Sequence, residues 1–318
     1  MVAPQFASPG SHPYWPDKTK PIGGLYYSTK KEYEGYRNDN YNFIIAIFSL
    51  KYNFQSIKGL STKAVFNYST RDGYKKKFSK IYPTYYYDWN TDVYTQRPLG
   101  GSTSLTERFE RNKQLTTQFF LNYAKTIGDH DIIGMLVGEF TNQDGNFFNA
   151  SRTGFLSNSV DQMFAGDQTN MNNDGSASQD GRIGYASRFN YSYAGKYLAE
   201  ATFRYDASAR FIDKSRWGFF PSLSLGWRLS NEEFMKQISA LDNLKLRLSY
   251  GQAGNDYVGQ YNYLTGYNLT SGYVYGNAPY LSKGIHSKGL ANPDLTWEKT
   301  ATSNIGADAS FWKGLLIF

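Results

Sequence analysis

The feature that most constrains the fold is a two-residue alternation of apolar and polar side chains between Arg182 and Leu229. Successive side chains of a β-strand point to opposite faces, so the alternation predicts strands with one apolar and one polar face. Tyrosine and tryptophan bracket the apolar rows, which is typical of strands that cross a bilayer. The apolar positions are Tyr197, Ala199, Ala201, Phe203, Tyr205, Trp217, Phe219, Pro221, Leu223, Leu225, Trp227 and Leu229, and Glu200, Thr202, Arg204 and Asp206 are among the polar ones.

The composition favours a membrane β-barrel over a helical membrane protein. Aromatic residues make up 18% of the 318 residues, including 28 tyrosines, yet the mean hydropathy is only -0.57. The longest clean apolar run, Phe43 to Phe48, is far shorter than the roughly 20 residues that a spanning helix needs. In a barrel only alternate residues meet lipid, which reconciles low hydropathy with many aromatic residues.

Charge and cysteine content narrow the function classes. The net charge of +7 comes from scattered basic residues, without the single basic face of a nucleic-acid-binding module, so we expect no nucleic-acid partner. The absence of cysteine excludes disulfide scaffolds, thiol nucleophiles and thiolate metal sites.

Nine strands are predicted, at about 40–54, 60–72, 114–126, 130–142, 183–194, 196–207, 216–229, 243–253 and 295–312. The connections between them alternate between short turns and long loops, as in outer-membrane barrels with short periplasmic turns and long external loops. The proline-rich residues 1–39 are predicted to be an external loop, and 230–242 either a short helix or a plain loop. The sequence therefore predicts an all-β, antiparallel transmembrane barrel, incomplete and open.

A series of short motifs between residues 182 and 311 resembles the SusC/RagA class of TonB-dependent outer-membrane transporters. The resemblance implies a 22-stranded barrel around a plug domain, energy coupling through TonB, and a SusD-like surface lipoprotein as a lid. It also implies import of oligosaccharides or peptides and contact with outer-membrane lipid. The positions that carry the family motifs, expected to be structural, are Arg204, Asp206, Arg210, Phe211, Trp217, Gly218, Pro221, Gly226, Trp227, Arg228, Tyr250, Gly251, Asn255, Asn292, Pro293, Trp297 and Glu298.

We interpret residues 1–318 as an internal fragment of such a barrel. No signal peptide, TonB box, plug or N-terminal extension is recognisable, and residues 315–318 read as a strand just beginning, so further C-terminal strands are expected to be absent. Two alternatives stay open at this stage. One is a TonB-dependent receptor for iron chelates, and the other is a soluble secreted β-protein that binds or cleaves glycans.

No catalytic, cofactor or metal site is predicted, so the chain is not expected to be an enzyme. The three histidines lie far apart, with no ligand partners at useful spacing. Asn170, Asn172, Asp174 and Gly175 match the start of a calcium loop, but its twelfth position is glycine instead of glutamate. We therefore favour a turn-rich external loop over calcium binding for residues 170–180.

Two tyrosine-rich loops are the candidate contact sites for a ligand or for the partner lid. Aromatic rings stack on sugar rings while their polar tips form hydrogen bonds, and tyrosine and tryptophan are also enriched at protein interfaces. On the polar face, Arg188, Arg204, Lys245 and Arg247 are expected to pair with acids such as Glu200 and Asp206. The candidate contact residues are Tyr85, Tyr86, Tyr87, Trp89 and Tyr94 in one loop and Tyr263, Tyr273 and Tyr275 in the other.

Overall fold

The computed structural model describes residues 31–82, 85–88, 91, 93–96, 101–270, 274–275, 280–281 and 284–318. In them the chain is built almost entirely of strands, preceded by one turn of α-helix at Lys31–Glu34. No helix among these residues is long and apolar enough to span a bilayer. The strands are β1 (Gly35–Asn53), β2 (Leu60–Ser79), β3 (Tyr85–Asp88), β4 (Val93–Gln96), β5 (Ser104–Ile127), β6 (His130–Thr153), β7 (Met171–Tyr193), β8 (Tyr197–Ser208), β9 (Trp217–Arg228), β10 (Leu241–Asn255), β11 (Tyr267–Thr270), β12 (Val274–Tyr275), β13 (Tyr280–Leu281), β14 (Gly284–Ser287), β15 (Glu298–Phe311) and β16 (Leu316–Ile317).

Ten of these strands form one open sheet in the order β1-β2-β5-β6-β7-β8-β9-β10-β15-β16. Neighbours in the sheet are neighbours along the chain, apart from short strands that form three separate two-stranded hairpins within the loops. From β7 to β16 every described pairing is antiparallel. The nine predicted strands and the nascent strand at the C-terminus are therefore confirmed, together with the open, all-β architecture.

Four strands are longer than predicted. β2, β5, β6 and β7 continue into segments that we had assigned to the long loops 73–113 and 143–182. These extensions lack the apolar alternation used to find strands, because charged pairs line them. Lys75 lies 2.9 Å from Glu110, and Arg111 lies 2.6 Å from Asp72.

Two local predictions were wrong, and a third, at 230–242, had left a short helix and a plain loop open. Residues 35–39, assigned to the external loop 1–39, begin β1, whereas residues 1–30 lie outside the described part of the chain. Residues 171–180, assigned to a turn-rich loop, are extended and belong to β7. The segment 230–242 contains two 3-10 turns, Leu229–Asn231 and Glu233–Met235, and neither has a side-chain cap that could extend it into an α-helix.

The chain divides into two compact units. The first comprises Met1–Ile44, Thr70–Lys113 and Asp144–Ser178. Its described core is centred on Phe78 and Leu105, both almost completely buried, with the ring of Phe155 packed edge-on 5.4 Å from Phe78.

The second unit comprises Ile45–Ser69, Gln114–Gln143 and Gln179–Phe318. Its buried residues gather where β8 ends and β9 begins and include Ser208, Phe211 and Phe220. This core is small because both faces of the flanking strands stay largely uncovered.

The apolar face of β7–β10 is exposed, as a lipid-facing surface requires. Tyr197, Phe203 and Tyr205 are 46%, 44% and 45% exposed. Their rings stack across strands, with Tyr205 4.5 Å from Trp217 and Tyr197 6.2 Å from Trp227. Tyr197 and Tyr205 mark the two ends of the row, about 26 Å apart along the strand at roughly 3.3 Å per residue, close to the ~25 Å apolar band of an outer-membrane barrel.

Candidate functional site

The opposite face of the second unit carries paired charges. Arg188 lies 2.6 Å from Glu200, Arg204 lies 2.9 Å from Asp206, and Arg247 lies 2.7 Å from Asp308. The first two pairs confirm the predicted partners, and all three occupy the parity opposite to the aromatic row. Each arginine side chain is about half exposed, so this polar face suits a water-filled lumen.

A set of contacts at the loop end of the second unit holds the base of the long connection between β10 and β15; we call it the loop anchor. On its first side, Arg182 of β7 lies 2.5 Å from the buried carboxylate of Asp256. Arg210 donates from Nε and Nη2 to Oδ2 of Asp180 and from Nη1 to the carbonyl oxygen of Val258, 3.2 Å away. The Arg182–Asp256 ion pair and the Arg210–Val258 hydrogen bond therefore hold residues 256–258 against the middle of β7 and the turn that follows β8.

The second side of the loop anchor is aromatic. Trp297, just before β15, packs edge-on against Phe220 at 5.2 Å and against Phe211 at 5.6 Å. Its indole N–H donates to the carbonyl oxygen of Arg216, and Thr296 donates to the carbonyl oxygen of Ser215. The far end of the connection is thereby bonded to the segment that joins β8 to β9.

Two glycines create the space for this packing. A Cβ added to Gly254 would come within 2.0 Å of the Phe220 ring, and one added to Gly218 would come within 2.4 Å of it. The side chain of Asn255 donates to Glu298, 3.0 Å away, and joins the two ends of the connection directly. Six motif positions meet in the loop anchor, namely Arg210, Phe211, Gly218, Asn255, Trp297 and Glu298. A seventh, Asn292, donates its backbone N–H to the carbonyl oxygen of Asn262 within the connection.

Other motif positions lie along the sheet. Trp217, Pro221, Trp227 and Tyr250 share the apolar face, and Arg204 and Asp206 form an ion pair on the polar one. Gly226 makes room for Lys245 and Leu198, and Gly251 for Ser222. Pro293 stands in the turn that precedes Trp297.

At the short-turn end, Glu232 joins β8 to β9. Its carboxylate accepts hydrogen bonds from Lys196 at 2.9 Å and from the Trp227 indole at 3.1 Å. These donors, together with Tyr197, lower the pKa of Glu232 from 4.5 to about 2. Arg228 and Asn231 both donate to the carbonyl oxygen of Gly195, which closes the adjacent turn.

The predicted contact tyrosines occupy two separate loops. Tyr85, Tyr86 and Tyr87 lie in β3, which pairs with β4 so that Tyr87 is opposite Tyr94. In the second loop Tyr263 lies 6.5 Å from Tyr261 between ring centroids, and Tyr275 belongs to β12. Trp89 and Tyr273 lie outside the described residues. Ligand or partner contact by these tyrosines stays a prediction.

Within the described residues, no group of three or more histidine, aspartate or glutamate side chains is arranged to hold a metal ion. Residues 171–180 run along β7 with Asp174 and Asp180 bonded to the backbone N–H of the glycine that follows each. That residues 170–180 do not bind calcium stays a prediction.

The partners within the loop anchor were missed by the sequence analysis. Arg182 and Asp256 are 74 residues apart, and Trp297 and Arg216 are 81 apart. Alternation assigns a residue to a face, but only the strand register identifies its neighbour. The one available signal was that Trp297 belongs to the shared motif series.

Comparison with known proteins assigns the family. Residues 5–317 match the family described as TonB dependent receptor-like, beta-barrel. TonB-dependent receptor P39 of Formosa agariphila is 30% identical over 281 residues, which cover 87% of this chain and 25% of that protein. TonB-dependent receptor SusC of Bacteroides thetaiotaomicron is 33% identical over 235 residues, covering 72% and 21%.

Solved structures agree on the fold. The RagAB peptide transporter superposes with a TM-score of 0.74 at 22% identity, over 95% of this chain and 31% of that one. The chain spans about a quarter of the length of the curated relatives that it matches. The soluble-protein alternative is wrong, because the relatives are outer-membrane receptors. The chain belongs to the TonB-dependent receptor β-barrel family, in its SusC/RagA-like branch, and forms part of the barrel wall of an outer-membrane protein.

Proposed function

We propose that the protein to which this chain belongs imports polar nutrients, oligosaccharides or peptides, through the outer membrane. Its barrel would work with a plug, with TonB, and with a SusD-like lipoprotein as an external lid. The observation that carries the proposal is the division of the sheet into an exposed aromatic face and a face of neutralised ion pairs. Outer-membrane barrels that admit polar solutes have this division, with an apolar band outside and a polar, water-filled interior.

The comparisons support this proposal at the level of class. One relative is a SusC protein, and the structural neighbour of like fold is a peptide importer. These names favour oligosaccharides and peptides without choosing between them. The relatives are named as receptors, and the role proposed here is transport without catalysis.

The loop anchor supports the capture step. It holds residues 256–258 and 296–298 against the barrel wall, so both ends of the tyrosine-rich segment are fixed. We propose that Tyr263 and Tyr275 in this loop, and Tyr85–Tyr87 and Tyr94 in the other, contact the solute or the lid.

The test is uptake of fluorescent oligosaccharides, peptides and iron chelates by cells that carry the full-length receptor. Uptake of an oligosaccharide or peptide that stops when TonB or the neighbouring lipoprotein is deleted is the expected result. Uptake of iron chelates alone, unaffected by loss of the lipoprotein, would instead establish the iron-chelate alternative.

A further inference from the structure

A small cavity lies in the first unit over β5, between β2 and β6. Its volume is about 270 Å³, and Phe109 and Phe148 line it with 61% and 57% of their surface exposed. The ring of Tyr74 lies 4.8 Å from that of Phe109 and extends this aromatic row. Large aromatic side chains left exposed around a cavity are typical of a binding surface.

A polar row borders the aromatic one. Arg111 donates from Nε to Oδ1 of Asp72 at 2.6 Å and from Nη2 to Oδ2 at 3.4 Å, and the amide of Asn146 also lines the cavity. The Arg111 and Asp72 side chains remain 53% and 36% exposed, so a ligand in the cavity can reach both. Flat aromatic rings beside carboxylate, guanidinium and amide groups match a sugar ring, with its apolar C–H face and its vicinal hydroxyls.

The alternation within each strand indicates which ligand reaches the cavity. In β2, Asp72 and Tyr74 have the parity of Phe66 and Tyr68, and in β5 Arg111 has the parity of Phe119. Residues two apart share a face, so the polar row belongs to the face that meets the membrane. On that face of β5, every second residue from 115 to 123 is apolar or carries a hydroxyl group. Toward the long-loop end the same face carries Lys113 and Arg111 instead, which marks the edge of the hydrocarbon layer.

We propose that this cavity binds a sugar ring of the lipopolysaccharide that surrounds the barrel in the outer leaflet. The proposal rests on the outer-membrane location and is independent of which nutrient the protein imports. The aromatic row stacks on the C–H face of the sugar ring, and the polar row forms hydrogen bonds with its hydroxyl groups.

The test compares variants of the full-length receptor purified from outer membranes, with bound lipopolysaccharide counted by native mass spectrometry. The double variant Phe109→Ala/Phe148→Ala should retain about tenfold less lipopolysaccharide than the wild type, as expected for the loss of two stacking rings. Phe140→Ala removes a similarly exposed phenylalanine of β6 within the apolar band and should retain the wild-type amount.

Asn146→Ala keeps the aromatic row and tests sugar recognition separately, which also covers the case in which the double variant fails to fold. It should lower retention, and unchanged retention would overturn the proposal, because apolar adhesion alone needs no amide. An equal loss in Phe140→Ala would overturn it too, as would a cavity that binds free nutrient oligosaccharide but no lipopolysaccharide.

Discussion

The indole N–H of Trp297 donates a hydrogen bond to the carbonyl oxygen of Arg216, 2.8 Å away and 81 residues earlier in the chain. This bond ties the end of the β10–β15 connection to the start of β9. Trp297 also packs against the rings of Phe220 and Phe211. One tryptophan therefore attaches the end of a loop of about 40 residues to the barrel wall. A change at Trp297 should therefore affect the loop and leave the barrel wall folded.

Trp297→Phe should loosen the loop without unfolding the barrel. The variant keeps an aromatic ring but leaves the Arg216 carbonyl without its donor, a loss of roughly 0.5–1.5 kcal/mol. Limited proteolysis of the full-length receptor should cut within residues 256–297 faster than in the wild type. Trp217→Phe is the matched control, since Trp217 stacks on Tyr205 on the apolar face. Equal cleavage rates in both variants would contradict the role of Trp297 in attaching the loop to the barrel wall.

Gly254→Ala should destabilise the loop anchor by about 1–3 kcal/mol, because the new methyl group would overlap the Phe220 ring. Gly138→Ala in β6 is the control, since nothing lies within 4 Å of its added Cβ. Denaturant titration in lipid would measure both free energies of unfolding. In a Phe220→Ala background the cost of Gly254→Ala should fall sharply, and additive costs would show that the ring is not the obstacle.

Alternation of apolar and polar residues identifies a strand only where one of its faces is apolar and the other polar. The rows around Tyr197 and Trp217 have one apolar and one polar face, and these strands were placed to within about two residues. The outer parts of β2 and β5 carry charged residues on both faces, with Lys75 and Glu110 paired on one face and Asp72 and Arg111 on the other. Their strand conformation is stabilised by pairing with neighbours, which leaves no periodic signal in the sequence.

In the candidate site, an ion pair within one strand could be predicted from the sequence, whereas an ion pair between distant segments could not. Arg204 and Asp206 are two residues apart on one face, so their pairing was predictable from one strand. Asp180 lies in β7 and Arg210 in the turn after β8, 30 residues later, and only the register of β7 and β8 brings them together. The predicted role of the loop tyrosines depends on a ligand or lid that the chain alone does not specify.

Glu232 should titrate far below an ordinary glutamate. Hydrogen bonds from Lys196, Trp227 and Tyr197 favour its charged form, so its pKa is about 2 in the folded protein against an ordinary 4.5. A lowered folded-state pKa means that the stabilisation is complete above pH about 4.5 and is lost as the pH falls toward 2. NMR titration of the labelled carboxyl would give the midpoint. Glu232→Gln should remove this part of the pH dependence, and a midpoint near 4.5 in the wild type would refute the arrangement.

A new charge should cost far more folding free energy on the apolar face of β8 than on its polar face. Ala201 lies on the apolar face near the middle of the strand, opposite Phe189 and Leu223, so Ala201→Arg places a charge near the bilayer midplane. The expected cost is about 2–4 kcal/mol of folding free energy in an intact barrel. Thr202→Arg, one residue later and opposite Arg188 and Ser222, points into a wet lumen and should cost far less. Folding titrations of the full-length receptor in lipid vesicles compare the two variants directly, and equal costs would contradict the assignment of the two faces.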